Sequence, residues 1–520
     1  MISDTKQKKY SLHSVLIFWS VFSVIGHLLY INTPLVNNEW VSLEGVKGIL
    51  YENYREGLLC YFFNQANPIG FSICASIINI IFGFPVSYWS LRIPSLFGVI
   101  LILYSFLSFT SYRRVKKGIL SSIWCSLVVL SPLIWIFSGR AMPEVLALGL
   151  VCFSYILCLK AKNRNNYYIL SFMVLALASL VKFHAAVIGI GIPYIIYINN
   201  DSRLSKRFFK TASLYCIILL TTLIVYFAII YKYYNIIFVA DGLKPVVQMN
   251  PMNSPRAFLD YCYYIVLLLG PISFLSPIHL WGKIRGRTYF VTIAIGILFS
   301  IITIRYGYST FGSAEMNYGV LDSLLNRKMI IVMKAVCSSI FVFLVLDIFI
   351  EQRKGVDHFL RLLTIITITY LVVCSMGRPV QRYLIFCLPF IYYFLVFYRL
   401  NYRRLTHVII LVVTLMVFSA ASISFAFYQV SQASAAENMV KWLTDANLMR
   451  KTEPGFMAVH CDHLIIPYKQ NRYYEYYISM SKSGDQVFIS HPKDSNPIAV
   501  HEEDINLFGF RIKTYYCIKL

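Results

Sequence analysis

Asn38-Glu39, Arg92, Arg140-Ala-Met-Pro143-Glu144, Lys182-Phe183-His184 and Arg378-Pro379-Val-Gln381-Arg382 all fall at one kind of place, the border of a long apolar run. Ionisable groups held beside hydrocarbon are costly and mark functional sites by default. The mixture is also chemically specific. A carboxylate can take the proton from an attacking hydroxyl, and fixed cations can take the charge of a departing phosphate. Transfer of a group from a lipid-linked phosphate needs both. Glu39, Asn38 and Glu144 are therefore the candidate catalytic residues, with Glu39 as the base. Arg92, Arg140, Lys182, Arg378 and Arg382 are the candidate phosphate-binding cations. Glu144 and His184 are the side chains that could hold a divalent cation, the one cofactor compatible with this set.

Each residue has a plainer reading. Glu39 could cap a short helix after Pro34, and Arg92 or Lys182 could snorkel to an interface. Arg140 and Glu144 stand four apart and could form only a local ion pair. His184 reads as a hydrogen-bonded helix residue as readily as a metal ligand. His460-Cys461-Asp462-His463 looks metal-like but has no partner cluster elsewhere in the sequence.

Composition says what must position these residues. The chain has 520 residues, 58% hydrophobic and only 14% charged, whereas a soluble domain carries about 25% charged residues. Most of it belongs in lipid. Apolar runs of about 20 residues give about thirteen spans, near 11–31, 93–110, 119–137, 144–160, 167–181, 184–199, 211–231, 258–280, 288–304, 331–350, 361–376, 383–399 and 407–427. The first lacks a cleavage pattern and reads as a retained anchor. The net charge of +23 does not imply nucleic acid. Basic residues crowd alternate connectors, as cytoplasmic loops do. That rule places the N-terminus inside. The loop at 32–92, the short turns holding the candidate residues, and the C-terminus then lie outside.

Two domains follow: a membrane domain over 1–427, and a small extracytoplasmic α/β domain over 428–520. In the latter Ser434–Asn447 reads as an amphipathic helix, and Gly455–His460, Gln486–Ser490 and Phe508–Ile518 read as strands. Of the twelve cysteines, Cys461 and Cys517 lie in this polar segment. They could pair in an oxidising compartment or stay as free thiols.

The motif order resembles that of the GT-C glycosyltransferases that use polyprenyl-phosphate sugars, the protein O-mannosyltransferase and aminoarabinose transferase group. The likeness lies in Asn38-Glu39 after the first span, Asn67-Pro68, Leu91-Arg92-Ile-Pro94-Ser95-Leu-Phe-Gly98, Arg140-Ala-Met-Pro143-Glu144, Val181-Lys182-Phe183 and the run Arg378–Pro389. It covers roughly residues 10–400. The family's first loop usually carries Asp-Glu, and its Asp is the usual base; Asn38 stands there in this chain. The resemblance implies an all-α polytopic membrane protein of inverting transferase type in the cytoplasmic (inner) membrane. It implies a polyprenyl-phosphate-sugar donor, and a surface glycan, lipid A or protein hydroxyl as acceptor. An O-antigen polymerase or flippase-like protein is the first alternative, against which the Leu91–Gly98 element speaks. A secondary transporter is the second. Transporters show paired repeats broken at mid-membrane, a pattern this sequence lacks.

Overall fold

The computed structural model describes residues 3–33, 35, 39–51, 58, 61, 68–112, 118–162, 165–234, 254–283, 286–306, 327–353, 358–376, 381–445, 452–453, 476–479, 497–502 and 514–519. Among them, eight helices are long and apolar enough to cross a membrane, and a bent pair would make nine. The chain is a multi-pass membrane protein. The expected runs near 11–31, 167–181, 184–199 and 383–399 also fall on helical segments, whose apolar parts are 10–17 residues long.

The elements that matter for the site are α1 (Ser3–Leu28), α2 (Glu39–Leu50), α3 (Gly70–Phe82), α4 (Tyr88–Tyr112), α5 (Gly118–Leu130), α6 (Pro132–Ser138), α7 (Pro143–Lys160) and α8 (Asn166–Val181). Helices α5 and α6 meet at 64°. Pro132 opens α6 and lacks an amide hydrogen, and Ser131 before it is extended at ψ 120°, so the helix breaks there. The turn after α6 brings Arg140 to the head of α7. Gly98 of α4 and Gly149 of α7 lie backbone against backbone: a Cβ at Gly98 would overlap the Val145 carbonyl, and one at Gly149 would overlap the Gly98 carbonyl. Small residues permit this approach between membrane helices. Gly70 does the same for the start of α3, which lies on the carbonyl of Leu180.

Helix α8 ends at Lys182, whose backbone is extended at φ −154°, ψ 126°. The chain resumes as α9 (His184–Ile188) and α10 (Gly191–Asn199). The Lys182-Phe183-His184 triplet is thus a break between short helices, and Lys182 there is buried by protein. Next come α11 (Lys206–Tyr234), α12 (Ser254–Leu269), α13 (Leu275–Lys283), α14 (Arg287–Tyr306), α15 (Arg327–Arg353) and α16 (His358–Ser375). Most of α11 is uncovered, with Ile217, Leu220, Ile224 and Val225 exposed, a surface that suits lipid. A run from Gln381 to Arg399 passes from a 3₁₀ turn through α17 (Leu388–Phe394) into a π-turn. The indole N–H of Trp124 donates to the Pro389 carbonyl at 3.0 Å, tying this run to α5.

The last helix, α18 (Leu405–Asp445), is continuous for 41 residues. The segment expected as a separate amphipathic helix from Ser434 is its extension. Beyond it, β1 (Thr452–Glu453), β2 (Tyr476–Ser479), β3 (Pro497–Glu502) and β4 (Thr514–Lys519) form a mixed sheet in the order β1-β2-β4-β3. Strand β4 overlaps the expected Phe508–Ile518. Gly455–His460, Gln486–Ser490, His460–His463 and Cys461 lie outside the described residues, and Cys517 sits in β4 opposite Ile478.

Candidate active site

Two buried carboxylates, each bound by cations, occupy one end of the helix bundle. Glu39 opens α2, and both its oxygens face the guanidinium fork of Arg92. Arg92 Nε donates to Oε1 at 3.0 Å and Nη2 donates to Oε2 at 3.2 Å. The Ala141 amide adds a third donor to Oε1 at 2.7 Å, and Arg140 Nε lies 3.8 Å from Oε2. Arg92 does more than pair. Its Nη1 donates to the carbonyls of Tyr30, Ile31 and Thr33 at 3.1, 2.8 and 2.9 Å, so one side chain closes the end of α1 onto α2 and α4. Arg92 and Glu39 are both 0% exposed, which rules out snorkelling for Arg92.

The turn that carries Arg140 is pinned by hydroxyls. Ser95 Oγ donates to the carbonyls of Arg140 and Met142 at 2.6 and 2.9 Å, and Ser42 Oγ donates to the Ala141 carbonyl at 2.9 Å. The parts of Leu91–Gly98 therefore act separately. Arg92 holds Glu39, Ser95 holds the Arg140 turn, and Gly98 admits α7.

Glu144 stands in the first turn of α7, also fully buried. Lys182 Nζ donates to its Oε1 at 2.7 Å, and Arg382 Nε lies 3.5 Å from the same oxygen. Glu144 Oε2 is buried and has no hydrogen-bond partner among the described residues. Tyr383 covers the cations, with Lys182 Nζ 5.4 Å and the Arg382 guanidinium 5.7 Å from its ring centre. The His184 ring lies 4.2 Å from the same ring. Sequence reasoning misses Tyr383; its place directly after Arg382 is the only signal. Arg140 lies within electrostatic reach of Arg382 and Glu144, so the two carboxylate groups form one polar centre. Arg140 and Glu144 pair with Glu39 and Lys182 respectively, and the local pair expected from their spacing is not how they are held. Asn38 and Arg378 lie outside the described residues.

Among the described residues four cations, Arg92, Arg140, Lys182 and Arg382, gather around two buried carboxylates. Fixed guanidinium and ammonium groups of this kind suit a phosphate. A divalent cation does not suit the donor set, because Lys182 and Arg382 already flank Glu144 Oε1. No group of three or more His, Cys, Asp or Glu side chains converges on a metal position among the described residues.

Burial alone would raise the Glu39 pKa. The adjacent charges of Arg92 and Arg140, with hydrogen bonds from Arg92 and the Ala141 amide, more than reverse this and hold it below the ordinary glutamate value. A depressed carboxylate pKa contributes stability above the unfolded value, and the contribution is lost as pH falls through the folded one. The parent should therefore exceed Glu39→Gln in thermal stability most clearly above about pH 5. The gap should narrow as pH drops further. Melting curves of both proteins in detergent across this range check it; a gap that widens toward acid would contradict the assignment.

No family model and no curated protein sequence matches the chain. Among solved structures the chain is similar to the S. cerevisiae protein O-mannosyltransferase Pmt1-Pmt2 complex bound to the sugar donor, at 14% identity and TM-score 0.33, over 46% of this chain and 35% of that one. It is similar to ArnT from Cupriavidus metallidurans bound to undecaprenyl phosphate at 10% identity and TM-score 0.36. The apo state of that protein gives 12% and 0.33, and both ArnT matches span 73% of this chain and 77% of that one. The chain thus spans about a third of the O-mannosyltransferase chain it matches. The likeness is structural, at low identity.

Proposed function

We propose that the protein is an integral membrane glycosyltransferase that moves a sugar from a polyprenyl-phosphate donor to a hydroxyl of a surface glycan, lipid or protein. The observation that carries this reading is the buried cluster of four cations and two carboxylates at one end of the bundle. In an inverting transfer the acceptor oxygen bonds to the anomeric carbon as the bond from that carbon to the phosphate oxygen breaks. The leaving lipid phosphate keeps the electron pair and passes from one negative charge to two. A site lined by fixed cations favours that product over the donor, which is where transition-state stabilisation must act.

The acceptor's proton needs a carboxylate with a free oxygen. Both oxygens of Glu39 are occupied by donors. Glu144 Oε2 has no such partner among the described residues. We assign the proton to Glu144, and to Glu39 the holding of Arg92, Arg140 and the Ala141 amide. An apolar groove of about 530 Å³ runs along α11 past Leu180, Val225, Tyr226 and Ile229. It starts two residues before Lys182 and suits an isoprenoid tail.

The orientation follows from charge. Helix α7 runs from Glu144 to Lys160, and the basic residues Lys160, Lys162, Arg203 and Lys206 gather around its far end. The positive-inside rule supports a cytoplasmic place for that end, and with it a polar centre on the outer face of the cytoplasmic membrane.

Purified protein supplied with radiolabelled polyprenyl-phosphate sugar in lipid vesicles should consume the donor and release polyprenyl phosphate. Folded protein that neither binds nor consumes any such donor would overturn the reading.

A further inference from the structure

A second polar site lies at the other end of the bundle. The run from Gln381 to Arg399 is 19 residues long, about 28 Å at helical rise, so Arg399 is a membrane thickness away from Arg382. Beside Arg399 is a cavity of about 670 Å³ between α13, the π-turn and the head of α18, with Lys283, Arg403, Arg404 and His407 in its lining.

The positive-inside rule accounts for basic residues at this end. It does not account for three other features. The first is the cavity itself. The second is the π-turn at Leu395–Arg399, a rare geometry that tends to accompany functional sites. The third is His407, 4% exposed on the cavity wall. Its Nδ1 accepts the Asn401 amide at 3.1 Å, which in the neutral ring leaves the proton on Nε2. Nε2 is buried with no hydrogen-bond partner among the described residues. A buried donor without a partner is costly, and a ligand acceptor would relieve it.

The charge balance fixes the ligand's sign. Arg399 is bound to two carboxylates, Asp347 at 2.6 Å and Glu351 at 2.9 Å. Neither acid lines the cavity. The charged side chains in its lining are basic, Lys283, Arg399, Arg403 and Arg404, and no acid lines it among the described residues. Apolar residues flank the basic ones: Trp281 is 68% exposed and Leu405 is 74% exposed. A free anion would leave these side chains without a role, whereas acyl chains would cover them.

We propose that this cavity binds the phosphate head of an anionic lipid from the leaflet opposite the catalytic centre, with His407 Nε2, Arg403 and Arg404 as its donors. The site is independent of the glycosyltransferase reading.

Full-length protein in phosphatidylcholine nanodiscs, titrated with phosphatidylglycerol and read by native mass spectrometry, tests this. The parent should retain a saturable phosphatidylglycerol. His407→Asn removes the Nε2 donor without changing net charge, and it should weaken retention several-fold. Arg403→Gln with Arg404→Gln, both at exposed positions, should weaken it at least tenfold. Arg203→Gln with Lys206→Gln removes the same charge from a neighbouring basic connector and should leave it unchanged. Equal losses in the two charge-matched double variants would reduce the effect to the surface field and overturn the site. Displacement of the lipid by millimolar inorganic phosphate would overturn the lipid as its ligand, as would equal retention of phosphatidylcholine.

Discussion

Glu144→Gln is expected to lower sugar transfer by about 10²–10⁴-fold at equal protein levels, the usual contribution of a positioned general base. Thermal stability should fall as well, because Lys182 and Arg382 stay buried beside a neutral amide, so transfer is compared on protein shown to be folded. Donor binding should persist or tighten, since one negative charge is removed while the cations stay. The measurement is transfer and donor binding on the same membranes, because a loss of both would indicate collapse of the site. A parental transfer rate would remove Glu144 as the base. Glu39→Gln is the companion variant. If it lost turnover with an unchanged melting temperature, Glu39 would be the base, as the sequence alone suggests.

That the base assignment moves from Glu39 to Glu144 follows from what sequence can carry. Motif order along the chain marks Glu39, Arg92, Arg140, Glu144, Lys182 and Arg382, because each stands where an apolar run begins or ends. The pairing is not legible there. Arg140 and Glu144 are four apart and look like partners, yet Arg140 turns to Glu39 and Glu144 to Lys182. That choice is made by Ser95 and Ser42, which hold the backbone of the turn through carbonyls, and a carbonyl has no signature in sequence. The breaks within apolar runs are hidden for a related reason. Apolar composition marks what is buried in lipid or protein alike, so the turn between α5 and α6 and the gap between α9 and α10 leave no mark in it. The Asp347–Arg399 pair and the cavity beside it stay hidden because the charges of Arg399–Arg404 have a sufficient explanation in topology.

Arg92→Met should be the most destabilising single change in the catalytic centre. It leaves Glu39 buried with its two strongest hydrogen bonds removed, and it strips the donor from the carbonyls of Tyr30, Ile31 and Thr33. Breaking a buried pair from one side costs about 3–5 kcal/mol, because the remaining charge has no water to return to. Arg92→Lys should recover part of this, since an ammonium supplies one contact where the fork supplies two and still reaches back to the carbonyls. The decisive variant is the double, Arg92→Met with Glu39→Gln. With no charge left to bury, it should be more stable than Arg92→Met alone, with a coupling of about 0.5–3 kcal/mol. A double variant that loses the sum of the two single losses would show that the pair is not coupled. The recovered protein should nevertheless transfer sugar poorly. Glu39 Oε1 also holds the Ala141 amide, three residues before Glu144, and without that carboxylate the turn that aims the base is held only through its carbonyls. Recovery of stability without recovery of turnover separates the charge that Glu39 neutralises from the geometry that it sets.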